Sequence, residues 1–222
     1  MFIKKICLFL IIIINTVQAQ KVELKRYNVS FISKPQEVEI IKYSDGTVAG
    51  SVITRLTKER FSTKLLGKLW INLVGRNSEE IVDIDELSPQ KAEIVYNLLQ
   101  QTNINTITPC EAGEDCERHY LDSDAVVIEI TQSNKTRKIY FEEIHPLSLK
   151  NKEIGKRGDA QEIITLLHNS LYLKTRFSCL FQRLPKGWYV YFRGASILYL
   201  SNSKTTNYSR ESRCRFLELN QL

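Results

Sequence analysis

The chain is poor in the residues and patterns that usually carry enzyme chemistry. Histidine occurs only three times in 222 residues, although it is the side chain most often used to move protons near neutral pH. The sequence has no Gly-x-Ser-x-Gly elbow, no His-Glu-x-x-His motif and no glycine-rich phosphate loop. These absences argue against the common serine hydrolases, zinc proteases and nucleotide-binding enzymes, so the sequence leans away from an enzyme.

Metal and cofactor motifs are missing as well. Cys110, Cys116 and His119 could be drawn as a zinc site, but their spacing is not that of a standard zinc knuckle. The acidic stretch 111–124 could hold calcium, but it lacks the regular acid spacing of a known calcium loop. We therefore expect no metal and no cofactor.

The N-terminus has the pattern of a secretory signal peptide. Two lysines precede an apolar run over residues 6–14, which is shorter than the roughly 20 residues that a membrane-spanning helix needs. Small residues follow at Val17 and Ala19, the two positions that a signal peptidase reads. We expect residues 1–19 to be removed, leaving a mature chain from Gln20 that is secreted or periplasmic and has no membrane span.

Residues 20–222 are expected to form a single exported domain. A hydrophobic content of 43% and a charged content of 25% are ordinary for a globular protein. The net charge of +6 falls to +4 without the two leader lysines, and we expect no nucleic-acid partner for an exported chain of this modest charge. A subdivision of the domain, if there is one, would fall near 144–158, a lysine-rich connector.

The cysteines predict two disulfides. Four remain once Cys7 leaves with the leader, and an even number in an exported chain favours pairing. Cys110 and Cys116 enclose only five residues, so we expect them to pair, which leaves Cys179 with Cys214. The other connectivities, and free buried thiols, stay open as alternatives.

Hydrophobic alternation predicts several strands. The alternation over residues 22–31 breaks once, at Lys25 and Arg26, as it would at a β-bulge. Asp45 and Gly46 lie between two strand-like runs and predict a hairpin, because glycine accepts the positive φ that the turn demands. Further strands are expected over 38–43, 48–56, 67–74, 125–130, 138–141, 177–181, 188–192 and 197–200.

Two main helices interrupt these hairpins. Ser88 is a good N-cap and Pro89 suits the first helical position, which predicts a helix over about 88–101. Asp159 is expected to cap a second helix over about 159–171. Hairpins with two inserted helices predict an α+β fold with a mostly antiparallel sheet.

Charge is unevenly distributed along the chain. Residues 79–124 carry twelve acidic and two basic side chains, whereas residues 173–222 carry nine basic and two acidic ones. This polarity could orient the molecule toward a charged partner, or the two segments could pack together and neutralise each other. The candidate binding residues of the acidic segment are Glu111, Glu114, Asp115, Asp122 and Asp124.

A strand-like run at 188–193 mixes aromatic side chains with arginine, a composition typical of interface hot spots. In a strand, Tyr189, Tyr191 and Arg193 point to the side opposite Trp188. We expect the Tyr189/Tyr191/Arg193 side to be a binding surface, with core packing as the alternative.

Together these features predict an exported, disulfide-stapled module that binds another exported or envelope protein, for example as an inhibitor or immunity protein. One alternative is a carboxylate-dependent hydrolase, for which Asp122, Asp124 and His119 would be the residues to test. Another alternative is a structural component of the cell envelope. The sequence leaves the oligomeric state open.

Overall fold

The computed structural model describes residues 21–31, 35–59, 79–110, 125–147, 152–193 and 196–202, together with Cys214. Within these ranges the chain forms eight strands and three α-helices. All strand pairs are antiparallel, and all eight strands belong to one sheet. The predicted α+β fold built from hairpins is confirmed.

The strands are β1 (Glu23–Phe31), β2 (Gln36–Tyr43), β3 (Val48–Glu59), β4 (Glu79–Glu86), β5 (Ala125–Gln132), β6 (Lys135–Glu142), β7 (Gly187–Arg193) and β8 (Ser196–Asn202). The helices are α1 (Pro89–Gln101), α2 (Gly155–Ser170) and α3 (Leu173–Arg183), and a short 3-10 turn covers Asn103–Asn105. The strand order is β6-β5-β1-β2-β3-β7-β8, and β4 pairs with the other edge of β3. The predicted strand over 67–74 lies outside the described residues.

The residues in the hairpin turns have the backbone conformations that tight turns require, including Gly46 in the predicted turn. Gly46 has φ +85° in the β2–β3 turn, while Ser133 and Asn134 have φ +51° and +61° between β5 and β6. In the β5–β6 turn, the positive φ at both central residues, Ser133 and Asn134, matches the right-handed twist of the flanking strands. The register of β1 against β2 shifts between Glu23 and Lys25, just before the predicted position, whereas Lys25 and Arg26 themselves pair regularly with Lys42 and Ile41.

Helix α1 begins where its capping residues predict. The Ser88 hydroxyl accepts a hydrogen bond from the backbone N–H of Lys91 at 3.3 Å, and Pro89 occupies the first turn. Ala92, Val95 and Leu99 are buried against the sheet. The burial of each large apolar side chain stabilises the fold by about 1.5–3 kcal/mol.

Helix α2 begins four residues before the predicted start. Asp159 is not its N-cap, because it lies inside the helix, where its carboxylate accepts a hydrogen bond from the Asn103 amide at 2.8 Å. Arg157 fixes the first turn instead: its buried guanidinium donates to the Glu142 carbonyl at 2.9 Å and pairs with Glu153 at 3.2 Å. The predicted connector 144–158 therefore includes the beginning of a helix.

Helix α3 replaces a predicted strand. Residues 177–181 are helical, so the strand expected there is wrong. Leu180 and Leu184 point toward β7 and form a small core with Leu56 and Tyr189. The larger core lies between α1, α2 and the neighbouring strands β1, β2, β5 and β6. None of the helices in the described ranges is long and apolar enough to cross a membrane.

Candidate functional site

The pairing register decides which side chains share a face of the sheet, because residues directly opposite on neighbouring strands point the same way. Arg55 of β3 lies opposite Val82 of β4, and Thr57 lies opposite Val190 of β7. Leu56 points to the other side, where the described helices pack. We call the side of Arg55, Thr57, Val82 and Val190 the open face, and the other side the covered face.

The open face carries several exposed apolar side chains. Ile84 is 59% exposed, Trp188 is 45% exposed and Tyr199 is 52% exposed. The register places these large, exposed apolar residues on the open face: Val82, Ile84, Tyr140, Trp188, Ile197 and Tyr199. Single exposed apolar residues are ordinary, but a group of them on one face of one sheet is typical of a surface that meets another molecule.

Acidic side chains flank the apolar residues of β4. Glu80 and Glu86 point to the open face on either side of Val82 and Ile84. Within the described ranges neither carboxylate takes part in an ion pair, whereas Glu39, on the same face, pairs with Arg26 at 3.0 Å. The β4 end of the open face therefore combines apolar contact area with negative charge that has no counter-ion in the described fold.

A gap interrupts the sheet beside this region. Residues of β3 up to Thr54 pair with β2, and residues from Thr57 onward pair with β7 on the same edge. A cavity of about 390 Å³ lies where the neighbour changes; we call it the sheet notch. Its lining residues are Ser30, Phe31, Pro35, Gln36, Glu37, Ile53, Arg55, Leu56, Thr57, Glu80, Val190 and Tyr191.

Gln36 is the buried polar residue of the sheet notch. Its side chain is almost completely buried, and its Nε2 donates to the Leu173 carbonyl at 3.0 Å. That bond fixes the orientation of the amide, because only the NH₂ group can donate to a carbonyl. The other amide atom, Oε1, is buried and has no hydrogen-bond partner among the described residues.

The side of β7 predicted to be a binding surface through Tyr189, Tyr191 and Arg193 is the buried side at the residues that the structure describes. Tyr189 is fully buried, and Tyr191 packs against the same small core, so this side of β7 belongs to the covered face. The reason is α3, whose Leu180 lies on the side that the sequence left uncovered. The side chain of Arg193 lies outside the described residues. Trp188, which the sequence placed on the core side, is exposed instead.

One ion pair joins the acidic and basic segments. Arg176 of α3 pairs with Asp85 of β4, and its Nε donates to the Leu171 carbonyl at 2.8 Å. Burial lowers the pKa of the Arg176 guanidinium below its ordinary value, which makes the neighbouring carboxylate important for keeping the charge. At this point the two segments neutralise each other, as the alternative interpretation of the charge pattern expects.

The remaining predicted residues divide between one described disulfide and undescribed positions. Cys179 of α3 is bonded to Cys214, with Cα atoms 5.5 Å apart. Cys110 is also disulfide-bonded, and Cys116, its expected partner, lies outside the described residues. The acidic binding candidates and the residues proposed for a hydrolase also lie outside them: Glu111, Glu114, Asp115, His119, Asp122 and Asp124.

Sequence reasoning missed the open face, although β4 carries a signal for it. The stretch from Glu79 to Glu86 contains five acids and places Val82 and Ile84 at alternate positions, with Ile84 directly between Asp83 and Asp85. An apolar pair at alternate positions in an acidic strand is unusual for a solvated edge, because natural edge strands usually place charges at exposed positions. The prediction that Trp188 lies on the core side is wrong because residues 177–181, predicted as a strand, belong to helix α3.

Comparisons with other proteins add no relative from which a role could be transferred. No family model matches the sequence, and no curated protein or solved structure is similar to it. Across the described part of the chain, no three His, Cys, Asp or Glu side chains converge as they would in a metal site. The functional argument therefore rests on the geometry of the open face.

Proposed function

We propose that the mature chain is an exported, non-enzymatic module that binds another exported or envelope protein through its open face, acting as an inhibitor or immunity protein. The observation that carries this proposal is the group of large apolar side chains exposed on the side of the sheet that the described helices leave uncovered. Aromatic residues such as Trp188 and Tyr199 are the side chains that most often carry binding energy at protein interfaces.

The charges of the open face indicate the chemistry of the partner. Glu80 and Glu86 lie beside Val82 and Ile84. A partner with lysine or arginine side chains around an apolar centre would neutralise these carboxylates while burying the apolar pair. The proposed partner therefore has a basic, partly apolar surface, such as the mouth of a basic active-site cleft.

Export is proposed on separate grounds. The N-terminal pattern is that of a cleaved leader, and a disulfide between Cys179 and Cys214 suits an oxidising compartment. Purification of the protein from its natural source, followed by mass measurement, tests this part. A secreted or envelope-located chain that begins at Gln20 supports export, whereas an intact N-terminus in a reducing compartment contradicts it.

Charge reversal on β4 tests the docking surface. The double variant Glu80→Lys/Glu86→Lys should reduce capture of the partner from the exported fraction at least ~tenfold, because it repels a basic surface. Glu93→Lys/Glu162→Lys is the matched control, since it changes the net charge equally but on exposed positions of α1 and α2. The same partner must be recovered by the wild type and the control.

Two results would overturn the proposal. If both double variants lost the partner equally, net charge rather than the open face would control binding. If the recovered partner were a second copy of the same chain, a structural role in the envelope would replace binding to a different protein. Added salt should weaken capture by the wild type, because exposed charges are screened.

A further inference from the structure

The outer strands of the sheet differ in charge. Within the described ranges the edge strands are β4, β6 and β8, each of which pairs with one neighbouring strand. β4 carries five acids, and β6 carries three bases and one acid. Charged side chains on an edge strand oppose pairing with another chain, which is how natural sheets usually protect their edges. β8 has the sequence Ser-Ile-Leu-Tyr-Leu-Ser-Asn and carries no charge, so it lacks this protection.

β8 is anchored in its extended form along its whole length. It pairs with β7 from Ser196 to Asn202. The buried amide of Asn202 donates one hydrogen bond to the Phe181 carbonyl and one to the Leu184 carbonyl, each at 2.8 Å. These carbonyls lie at the end of α3, where a helix needs partners from outside itself. A strand that is already fixed loses little conformational entropy when another strand adds to its edge.

The residue order along β8 is nearly symmetric about Tyr199. If a second copy pairs antiparallel about this residue, Tyr199 lies opposite its own counterpart, and Leu198 lies opposite Leu200. Because opposite residues point the same way, the tyrosines meet on the open face and the leucines on the covered face. Tyr199 is 52% exposed and both leucines are only half-buried. This register therefore covers apolar surface and brings no like charges together.

The same symmetric pairing does not suit the other two edges. At β4 it would place Glu79 opposite Glu86, and like charges directly opposite each other destabilise a strand pair. β6 presents Lys135 and Lys138, and lysine is the residue that most often keeps an edge strand from pairing. A second copy of the chain therefore fits β8 better than it fits β4 or β6.

We infer that β8 pairs antiparallel with β8 of a second copy of this chain, in a register centred on Tyr199, and that the two copies form a two-fold dimer with one continuous sheet. A single strand pair buries less surface than the roughly 1,600 Å² of a standard interface, so the dissociation constant should be on the order of 10–100 µM. The dimer is therefore dissociated at the low concentrations of a capture experiment, and it does not compete there with a different protein on the open face.

Sedimentation velocity of the disulfide-intact protein, over a concentration series that brackets this dissociation constant, measures the association. We expect monomers to convert to dimers and to no larger species, because a two-fold interface is closed. Hydrogen exchange at the two ends of the series gives a second readout. The amides of β8 should exchange more slowly in the concentrated sample, whereas those of β6 should not change.

Charge substitutions at Tyr199 test the register. Tyr199→Lys alone and Tyr199→Glu alone should each weaken the dimer at least ~tenfold, because like charges then lie opposite each other. An equimolar mixture of the two variants should associate at least about fivefold more tightly than either alone, because opposite charges then meet across the two-fold axis. Tyr140→Lys is the matched control. Tyr140 is 47% exposed on the open face of the edge strand β6, and its substitution should leave the dimer unchanged.

Several results would overturn the inference: a wild type that stays monomeric throughout the series, species that grow beyond a dimer, or equal weakening by Tyr140→Lys. A mixture that associates no better than its separate variants would also overturn it, because the register about Tyr199 would be wrong. If the Tyr199 variants folded poorly, the exchange of the wild-type amides would still decide. Glu80→Lys/Glu86→Lys should leave the dimer intact, so failure here is distinguishable from failure of the proposed docking surface.

Discussion

The two faces of the sheet are built from the same strands, yet they carry different kinds of apolar residue. On the covered face, Ile40 and Ile128 are completely buried beneath the helices. On the open face, Ile84 is 59% exposed, although it is the same residue type in the same sheet. The difference teaches that the same residue type is packed into the core on one side and left exposed on the other, where we propose that it serves recognition.

The largest expected effect comes from a matched pair of substitutions across the two faces. Ile128→Ala should lower the free energy of unfolding by about 4 kcal/mol, because it removes buried methyl groups and leaves a cavity. Ile84→Ala should change it by about 0.5 kcal/mol or less, because the side chain is exposed. Urea denaturation measures both, and equal losses would contradict the assignment of faces.

The disulfide tests how far the covered face depends on α3. Replacing Cys179 and Cys214 by alanine opens a cross-link with a sequence separation of 35 and should cost about 3 kcal/mol. The loss should appear first at Tyr189, which α3 covers, as faster hydrogen exchange of its amide. Unchanged stability in the double variant would show that the bond does not hold α3 in place.

Gly50 offers a smaller and more local test. A Cβ at this position would lie 2.7 Å from Ile40 Cδ1 and 3.0 Å from Leu87 Cδ1. Gly50→Ala should therefore destabilise the protein by about 1–2 kcal/mol through overpacking of the covered face. Ser51→Ala, one residue further along on the open face, should be almost neutral. A stabilising Gly50→Ala would mean that Ile40 and Leu87 pack less tightly over Gly50 than described.

The smallest expected effect is the pH dependence of stability that comes from Asp45. This residue lies in the β2–β3 turn, away from both faces of the sheet. Hydrogen bonds from the Thr47 hydroxyl and backbone N–H, with help from Lys21, lower the pKa of Asp45 from 3.8 to about 2. Because the pKa is depressed in the folded state, its contribution to stability is present above pH 4 and is lost as the pH falls through 2.

An NMR titration of the Asp45 carboxyl measures this shift directly. In Thr47→Ala the side-chain hydrogen bond is lost, so the pKa of Asp45 should rise toward 3.8 while the backbone hydrogen bond keeps it partly depressed. An unchanged pKa in the variant would contradict the leading role of the hydroxyl. Asp45 is exposed, so we expect no measurable effect of Thr47→Ala on either face of the sheet.

Features encoded by a few adjacent residues could be predicted from the sequence. The β2–β3 turn follows from Asp45 and Gly46, and the start of α1 follows from Ser88 and Pro89, because turn and cap chemistry is local. The pairing of β1 with β5, in contrast, joins segments about 100 residues apart. Nothing local to either strand specifies that neighbour.

Helix α3 explains why the binding surface predicted on the Tyr189 side of β7 is wrong. The sequence predicts a strand over 177–181, but these residues are helical. Phe177, Cys179 and Phe181 alternate as in a strand, whereas Leu173, Phe177, Leu180 and Leu184 recur at helical spacing. The buried residues Leu173 and Leu180 follow the helical pattern. Once this segment is a helix, it covers Tyr189 and leaves Trp188 exposed, which a strand at 177–181 would not predict.

Site-specific photo-crosslinking tests the central claim that the open face binds a partner. A photoreactive amino acid at position 84 on the open face is compared with one at position 94 of α1, because Ile84 and Ile94 are similarly exposed, at 59% and 53%. We predict one defined adduct with another exported protein from position 84, none from position 94, and loss of the adduct in Glu80→Lys/Glu86→Lys. An equal adduct from both positions, or an adduct from position 94 alone, would contradict it.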